Sequence, residues 1–453
     1  MKRTTATIIA AQALALAAAT VAAAPALGSS GGVVADEVLV RFEGRDAERS
    51  VGLPPGVGVA EAAAALERNP HVAYAAPNHI ATVSGSKSFV PNDPGTASAA
   101  GGWQELQWNF LPCGSTCGQQ PAAPGLESVG GINAPAAWEN LVDAKHPGGA
   151  GVTVAVVDTG VAYRDLGERF KRSPDFAKTQ FVAGHDFVDG DDVALDENGH
   201  GTHVAGTIGE QTNNRRAVTG LAYGAQIMPV RVLNSHGAGT ARNVAKGIRW
   251  AAKHDADVIN LSIEFCLVSC KPSARVTRCE DVPGVCEAID AAQAAGSIVI
   301  GSAGNEGLAT QVAFPGRHAV AVGATTERGC LAEYSNHGEG LDLVAPGGGA
   351  DAPVSGSQCV PFAAGRTIAQ LTLKGAGYDK FGYPSYEGCS MASAHASGTA
   401  ALVWAQLAKQ LGREPTPAEV EARLESTARD GGILAETAVY GAGLLDAGAA
   451  TSP

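Results

Sequence analysis

The 453-residue chain is predicted to adopt an α/β fold, with a mostly parallel sheet that carries helices on both faces, preceded by a small α+β unit. Two observations lead to this prediction. From about residue 131 onward, short apolar runs alternate with segments of helical periodicity. The run Val152–Val157 is also the most apolar of these, which is typical of a parallel strand buried on both faces. An apolar share of 45% is sufficient for a large core.

The N-terminus has the pattern of a secretory signal peptide, which we assign to residues 1–28. Lys2 and Arg3 precede an uncharged, alanine-rich stretch that ends in small residues near Ala24. A membrane anchor is the alternative, but alanine is only weakly hydrophobic and such a stretch inserts poorly. No other apolar run in the sequence is long enough to span a bilayer. The chain is therefore expected to be exported, without a stable membrane anchor.

Residues 36–80 are predicted to form the small α+β unit. Val38–Phe42 and Val72–Ala75 have the composition of strands, and Val59–Arg68 has that of a helix. About 45 residues are too few for a self-sufficient core, so the unit is expected to need a partner surface. Residues 81–105 are rich in Ser, Gly, Pro and Ala and predict an exposed linker open to cleavage, which leaves 106–453 as the main domain.

The main domain continues with further strands and helices in alternation. Besides the run at 152–157, strands are predicted at Ile227 to Leu233, Val258 to Leu261, Ser297 to Ile300 and Ala319 to Val322. Helices are predicted at Asn243 to Lys253, Cys286 to Ala295 and Pro417 to Ala428. Thr416 is the expected N-cap of the last helix, because its side chain can accept a hydrogen bond from the first turn.

Charge and cysteine content restrict the functional class. The net charge of −13 disfavours a nucleic-acid partner, which would require basic surface. Nine cysteines in an exported chain suggest disulfides with at least one thiol left over. We expect bonds Cys113–Cys117 and Cys330–Cys359. The remaining bonds are expected within the group Cys266, Cys270, Cys279 and Cys286, for which a zinc site is the disfavoured rival because the spacings fit one badly.

Two polar side chains lie where reactive groups occur in α/β sheets. Asp158 ends the most apolar strand, although a turn or cap is the commoner role of a single Asp. His200 follows a glycine at a predicted helix start and would face a cleft, whereas His203 is expected to pack internally. Paired histidines at this spacing could also hold a metal, but the sequence lacks the intervening Glu of the His-Glu-x-x-His pattern.

Two further segments complete a catalytic pattern. Ser390 begins a helical run that extends to Gln406, where unpaired N–H groups and the helix dipole favour negative charge. Asn305 follows the strand that ends at Ile300 and could donate its amide to a developing oxyanion. The alternatives are a plain Ser N-cap and a left-handed turn Asn. The order Asp, His, Asn, Ser is specific even though each signal alone is modest.

In these segments the chain resembles the subtilisin-like serine proteases, over about residues 130–447. The residues that carry the resemblance are Val156–Gly160, His200–Thr207, Ala303–Gly307 and Ser390–Ser393. The unit at 36–80 is similar to the inhibitory propeptide of this family. The resemblance implies a secreted endopeptidase of protein or peptide substrates that processes itself from a precursor, is inhibited by its own propeptide and acts as a monomer.

The resemblance also implies residue roles. Asp158 would support His200, which would take the proton from the nucleophile Ser390, while Asn305 and the Ser390 amide would hold the oxyanion. An inactive binding module with the same fold is the alternative function. A thiol-dependent hydrolase using Cys389 is a third possibility, because Cys389 stands where the family has Thr. Cys389 is also the best candidate for the unpaired thiol, and Ala394 replaces a Pro of the family.

The resemblance further assigns the substrate-binding segments, which are Gly237, Ala238, Gly239, Ser262, Ile263, Glu264, Ser302, Ala303 and Gly304. Here Ser262-Ile263-Glu264-Phe265 replaces the Ser-Leu-Gly-Gly of the family. The added side chains could narrow the pocket, or Glu264 could lie beside a basic substrate residue. A shifted loop tied by Cys266 and Cys270 is an equally good explanation.

Calcium is the cofactor that the resemblance implies, in a structural role. The expected ligands are Asp165, Asn214, Gln107, Thr212, Arg216 and Val218, the last three through the backbone of their loop. A second oxygen-rich cluster before His200 contains Asp189, Asp191, Asp192 and Asp196. Solvated acidic loops are the alternative explanation for both.

Overall fold

A computed structural model describes residues 33–45, 47–54, 57–79, 89–96, 99–114, 126–143, 145–265, 278–354, 359–375, 377–429 and 437–453. The chain divides into two compact units, Met1–Ser86 and Lys87–Pro453. The predicted signal peptide at 1–28 lies outside the described residues. Within the described ranges, every helix is too short or too polar to cross a membrane.

The described part of the first unit, within residues 33–79, contains a three-stranded antiparallel sheet and one helix. Its elements are β1 (Val33–Phe42), β2 (Arg49–Gly52), α1 (Val59–Leu66) and β3 (Val72–His79). Strand β1 lies in the middle, and its buried Val38 and Val40 pack against the apolar side of α1. The sequence did not predict β2, because this edge strand is mostly exposed and has no run of apolar residues.

The second unit is built on an eight-stranded sheet in which all strand pairings are parallel. Its strands are β4 (Thr153–Asp158), β5 (Gln180–Phe181), β6 (His185–Asp186), β7 (Gln226–Arg231), β8 (Val258–Leu261), β9 (Ile298–Ser302), β10 (Val320–Thr325) and β11 (Leu343–Pro346). The strand order is β11-β10-β9-β8-β4-β7-β5, with β6 also paired to β7. A separate small hairpin contains β12 (Thr372–Leu373) and β13 (Phe381–Gly382).

Helices cover both faces of this sheet, as predicted. They are α2 (Trp103–Leu106), α3 (Ala134–Asp143), α4 (His200–Gly209), α5 (Ala241–Lys253), α6 (Pro283–Ala294), α7 (Cys389–Leu411), α8 (Pro417–Ser426), α9 (Thr437–Tyr440) and α10 (Ala447–Ala450). Alternate residues of β4 enter two different cores, so the whole strand is buried: Val154 and Val156 pack with α4 and α7, and Ala155 and Val157 pack with α5 and α6. Thr416 caps α8 through a capping box with Glu419.

The structure corrects the linker prediction for residues 81–105 in its second part. Residues 80–88 lie outside the described ranges, but the segment from Phe89 onward is packed into the second unit. Trp103 is fully buried and its indole N–H donates to the carbonyl of Pro91 at 3.0 Å, and Phe89 packs on the ring of Trp138. The small-residue composition was misleading because two aromatic side chains suffice to anchor the segment.

Two of the predicted disulfides are present. Cys330 is bonded to Cys359, and Cys279 is bonded to Cys286 within the group of four. Cys113 is also disulfide-bonded, while its predicted partner Cys117 and the cysteines Cys266 and Cys270 lie outside the described residues. Cys389 is a free, buried thiol, as expected.

Candidate active site

An aspartate and a histidine form a charged hydrogen bond at the carboxyl edge of the sheet. Asp158 ends β4 and is fully buried, and His200 is the first residue of α4. The Nδ1 atom of His200 lies 2.7 Å from Oδ1 of Asp158, so His200 donates from Nδ1 and keeps Nε2 available. Burial alone would lower the pKa of His200, but the charge of Asp158 and this hydrogen bond raise it above the ordinary imidazole value.

The turn that leads into α4 is held by the buried carboxylate of Asp196. Asp196 accepts hydrogen bonds from the hydroxyls of Thr159 (2.9 Å) and Thr202 (2.6 Å). It also accepts from backbone N–H groups of the turn, including that of Gly199 at 3.0 Å. Gly199 has a φ of 110°, which favours glycine at this position. Because Thr159 directly follows Asp158, these contacts fix the position of His200 relative to Asp158.

Ser390 lies in the first turn of α7, at the mouth of the same cleft. Its hydroxyl donates to the carbonyl of Ser262 at 3.3 Å, and its own carbonyl accepts from the hydroxyls of Ser262 (2.9 Å) and Ser393 (3.0 Å). Ser262 in turn accepts from the buried side chain of Asn260 at 2.9 Å. The start of α7 is thereby fixed to the end of β8.

Asn305 reaches the cleft from the loop after β9. Its side chain is exposed, and its Oδ1 accepts the N–H of Cys389 at 2.8 Å. Since the oxygen is engaged, the amide Nδ2 remains as a donor. The thiol of Cys389 is buried behind this contact and donates to the carbonyl of Gly304 at 3.0 Å, and burial raises the pKa of Cys389 to about 12.

One cleft of about 530 Å³ is lined by three of the four predicted catalytic residues, His200, Asn305 and Ser390, with Asp158 buried behind His200. Seven predicted substrate-binding residues also line it, namely Gly237, Ala238, Gly239, Ser262, Ile263, Glu264 and Ser302. Ala303 and Gly304 do not line the cleft, and both are buried.

One wall of the cleft carries side chains at positions where the resembling family has glycines. Ile263, Glu264 and Phe265 all line the cleft beside Ser262. Ser302, on the neighbouring strand, donates to the carbonyl of Ile263 at 3.0 Å and holds this wall against the sheet. Cys266 and Cys270, the predicted ties of this loop, lie outside the described residues.

His203 is not part of the cleft. It is fully buried, stacks on Tyr386 with ring centroids 4.6 Å apart, and its Nε2 donates to the carbonyl of Ile368 at 3.1 Å. Burial lowers the pKa of His203 to about 3, so this ring stays neutral. His203 therefore packs internally and is not available as a metal ligand.

Of the two carboxylates Asp165 and Asp175, the one that contacts the 212–218 loop is Asp175. Asp165 is exposed and accepts the N–H of Arg172 at 2.8 Å. Asp175 is fully buried, accepts from the side-chain amide of Asn214 and has a backbone hydrogen bond with Val218.

The other predicted ligands of this loop have the following places. Asn214 also donates its N–H to buried Asp93 at 2.8 Å, and its Oδ1 accepts the N–H of Arg216 at 2.7 Å. Thr212 donates to the carbonyl of Gly220 at 3.2 Å, within the same loop. Gln107 is buried and uses both ends of its amide on the backbone of Thr219, so it fixes the loop through main-chain contacts.

The second acidic cluster does not converge on a common point. Asp189 pairs with buried Arg231 at 2.7 Å, and Asp192 pairs with His185 at 2.8 Å. Asp191 accepts the N–H of Val193, and Asp196 is occupied by the turn before His200. These four carboxylates therefore have separate partners within the protein.

The sequence analysis named Asp196 only as part of an acidic cluster, and it did not name the supporting residues Asp93, Asp175 and Asn336. Asp196 stands four residues before His200 in a turn-forming segment, which is the spacing of a side chain that accepts from the next turn's N–H groups. Asp93 follows Pro91-Asn92 in a segment that was assigned to the linker. Asn336 gives no sequence signal, because its role depends on a contact with a loop about 30 residues earlier.

The arrangement contains the parts of a serine-dependent acyl transfer site. It has a hydroxyl in the first turn of a helix, an imidazole that is hydrogen-bonded to a buried carboxylate, and a side-chain amide that lines the same cleft. An Nε2 atom that is free to accept a proton is the requirement for a general base near neutral pH.

The chain is similar to several known proteins. The family model described as Subtilase family matches residues 149–443. Subtilisin Savinase of Lederbergia lenta is 35% identical over 306 residues, which cover 67% of this chain and 91% of that protein. The Extracellular protease of Xanthomonas campestris is 33% identical over 369 residues, covering 71% of this chain and 54% of that protein. A solved structure of proteases from Pseudoalteromonas arctica has a TM-score of 0.59 and 29% identity, over 80% of this chain and 99% of that one.

Replacing Asp158 by Asn should lower the pKa of His200. The charge that raises this pKa is removed, while burial, which lowers it, remains. We expect the imidazole titration, followed by NMR, to move to lower pH, and kcat to fall by about 10⁴-fold because the tautomer is no longer fixed. Asp192→Asn, which removes the partner of His185, is the matched control and should leave kcat unchanged. An unshifted His200 titration in Asp158→Asn would contradict this.

Iodoacetamide should leave the native protein active. The Cys389 thiol is fully buried and its pKa is raised to about 12, so almost no thiolate is available at pH 8. Mass spectrometry should find Cys389 unmodified in the native protein and alkylated after denaturation. Inactivation that parallels alkylation of Cys389 would instead support a thiol-dependent hydrolase.

Proposed function

The chain belongs to the subtilase family of serine proteases, and from this premise we propose that it is a secreted endopeptidase with Ser390 as its nucleophile. The observation that carries the proposal is the meeting of His200, Asn305 and Ser390 in one cleft, with Asp158 behind the imidazole. These groups come from four segments that are far apart in sequence. Such an encounter is the geometric requirement for nucleophilic acyl transfer.

The first half of the reaction uses the hydroxyl and the imidazole. Rotation of Ser390 about its Cα–Cβ bond releases the contact with the Ser262 carbonyl and directs the hydroxyl into the cleft. Nε2 of His200 takes the proton while Oγ attacks the scissile carbonyl carbon. Asp158 stabilises the resulting imidazolium through the 2.7 Å hydrogen bond and does not take the proton itself.

The negative oxygen of the tetrahedral intermediate requires donors. Nδ2 of Asn305 is suited to this task because its Oδ1 is held by Cys389. The N–H of Ser390 belongs to the first turn of a 23-residue helix, where the helix offers no internal acceptor and its dipole favours an anion. Collapse of the intermediate breaks the C–N bond as His200 returns the proton to the leaving amine, and water then hydrolyses the acyl-enzyme by the same steps.

Extended polypeptides are the proposed substrates. Gly237, Ala238 and Gly239 on one side of the cleft and Ser262–Glu264 on the other offer two backbone segments between which a substrate strand could pair. Glycines at the first segment let the substrate backbone approach closely. Binding through the main chain is compatible with hydrolysis of internal bonds in many proteins.

Export and maturation are part of the same proposal. Residues 1–28 would direct secretion, and the unit at 36–80 would act as an intramolecular inhibitor before removal. Because Phe89, Asp93 and Trp103 are packed in the second unit, cleavage is proposed within residues 80–88. One similar protein is named Extracellular protease, which supports secretion.

Calcium is proposed as a structural ion at the Asn214 loop. The loop suits a cation because Oδ2 of Asp175 is a buried carboxylate oxygen that has no hydrogen-bond partner among the described residues. Asp93 is a second buried carboxylate in the same place, and burial raises the pKa of both. Asp93, Asp175 and the side-chain oxygen of Asn214, with carbonyls of the 212–218 loop, would supply the oxygens that Ca²⁺ prefers. A bound cation would compensate the two buried charges.

An inactive binding module is not favoured. Its support was the loss of glycines in the cleft wall, and the matching relatives carry protease names. A binding module would not require an imidazole with a raised pKa in the same cleft as a hydroxyl at a helix start.

Ser390→Ala should abolish hydrolysis of casein by the mature protein while the melting temperature stays within about 1 °C. Only the attacking oxygen is removed, and kcat should fall by about 10⁶-fold. A fluorophosphonate probe should label the wild type and not this variant. Ser393→Ala, which removes a nearby hydroxyl from the same helix, is the control and should still be labelled. Undiminished hydrolysis by Ser390→Ala would exclude the mechanism.

Removal of calcium by EDTA should lower the melting temperature by several degrees. An ion at 100 times its Kd adds about 2.7 kcal/mol to the free energy of unfolding. Asp175→Asn should abolish this EDTA effect, while Asp165→Asn, at the exposed carboxylate, should retain it.

The pH dependence of stability in EDTA tests the same site. The pKa of Asp175 rises from 3.8 to about 7 without the ion, so charging it opposes folding as the pH rises through this range. In EDTA, Asp175→Asn should therefore gain stability relative to the wild type between about pH 4 and 7. Equal EDTA sensitivity of both variants in calorimetry would contradict the site.

A further inference from the structure

The loop that presents Asn305 has to be held in one conformation for the proposed function. Asn305 is exposed, and an exposed side chain loses its favourable orientation easily. An oxyanion donor acts only when it is already aimed at the position of the developing charge, and an error of about 1 Å can cost 10²-fold in rate. The supports of this loop therefore bear directly on turnover.

Asn336 binds the loop through both the oxygen and the nitrogen of its side-chain amide. It is fully buried, and its Nδ2 donates to the carbonyl of Ala303 at 3.1 Å and to the Glu306 carboxylate at 2.8 Å. Its Oδ1 accepts the N–H groups of Glu306 at 3.2 Å and Leu308 at 2.9 Å. These contacts surround Asn305 on both sides of the chain.

Cys389 holds the same loop from the side of the nucleophile. Its N–H donates to Oδ1 of Asn305 at 2.8 Å, and its thiol donates to the carbonyl of Gly304 at 3.0 Å. The N–H of Asn336 donates to that same Gly304 carbonyl at 3.1 Å. One peptide unit next to Asn305 is thus fixed by both residues. Gly304 has a φ of 100°, so this backbone conformation is one that other residues rarely adopt.

We propose that Asn336 and Cys389 are positioning residues that together orient the amide of Asn305 toward the oxyanion. The proposal rests on the proposed function of Asn305 and adds two side chains that do not touch substrate. It gives the thiol next to the nucleophile a role as a hydrogen-bond donor, in place of a role in covalent chemistry. The same role requires any residue at 389 to carry a short donor group.

The first test compares variants at 389. Cys389→Ala removes the thiol donor, while Cys389→Ser keeps a donor at the same place. We expect kcat on a peptide substrate to fall about 5- to 50-fold in Cys389→Ala with KM little changed, since the loss lies below the 10²–10³-fold of removing the donor itself. Cys389→Ser should remain within about threefold of the wild type. Equal kcat in wild type and Cys389→Ala would overturn the role of the thiol.

A double-mutant cycle tests whether the effect passes through Asn305. Asn305→Ala alone should lower kcat by about 10²–10³-fold. In that background, Cys389→Ala and Asn336→Ala should cause almost no further loss, because the group that they position is gone. Losses that multiply with that of Asn305→Ala would mean that the two residues act elsewhere, and would refute the proposal.

A tetrahedral inhibitor gives a readout that a general structural effect would not produce. The serine oxygen adds to the carbonyl carbon of a peptide aldehyde while its proton passes to His200, and the former carbonyl oxygen enters the oxyanion site. Asn336→Ala and Cys389→Ala should weaken the binding of the aldehyde, but not the binding of the same peptide with a C-terminal amide. Equal weakening of both ligands would contradict positioning of Asn305.

Controls separate this inference from the proposed function. Asn140→Ala removes an amide that also makes two hydrogen bonds, to Gly448 and Thr451, and should lower stability without changing kcat. If Asn336→Ala does not fold, Cys389→Ala still decides the question. A wild-type protein that neither hydrolyses peptides nor reacts with fluorophosphonate would refute the proposed function. An active wild type with unaffected variants would refute only the positioning role.

Discussion

The 2.7 Å hydrogen bond between Asp158 and His200 is the interaction on which the site depends. A fully buried carboxylate at the end of a strand is costly unless a charged or polar partner compensates it. Here the partner is an imidazole, and the same contact fixes its tautomer and raises its pKa. The requirement of the buried charge and the requirement of a general base are therefore met by one contact.

The remaining contacts keep this pair aligned with the opposite wall of the cleft. Asp196 ties the turn before His200 to the residue after Asp158, and Ser262 ties the start of α7 to the end of β8. Parallel strands bring their carboxyl ends to one edge, so segments from β4, β8 and β9 meet there with the N-terminus of α7. The strands and helices set the distances between the groups of the site, and buried polar side chains fix the orientation of these groups.

The sequence alone predicted the α/β class, because apolar strands such as Val258–Leu261 and capped helices such as α8 carry local signals. The four candidate catalytic residues were also recognisable as candidates, since they lie at the end of a strand, in the loop after a strand or at a helix start. Supporting residues were not, because Asn336 and Asp93 act through contacts that only folding creates. Asp175 was not named as a candidate ligand, because its contact with Asn214 arises only in the fold. The linker was misjudged because composition does not register two anchoring aromatic rings.

The most direct measurement is a crystal structure of the mature protein after reaction with a peptidyl fluorophosphonate. We expect phosphorus bonded to Oγ of Ser390 and the phosphoryl oxygen about 2.7–3.1 Å from both Nδ2 of Asn305 and the N–H nitrogen of Ser390. Nε2 of His200 should lie within hydrogen-bond distance of Oγ, with Asp158 still on Nδ1. Phosphorus on any other residue would contradict the role of Ser390 as nucleophile, and a phosphoryl oxygen turned away from Asn305 would contradict the oxyanion site.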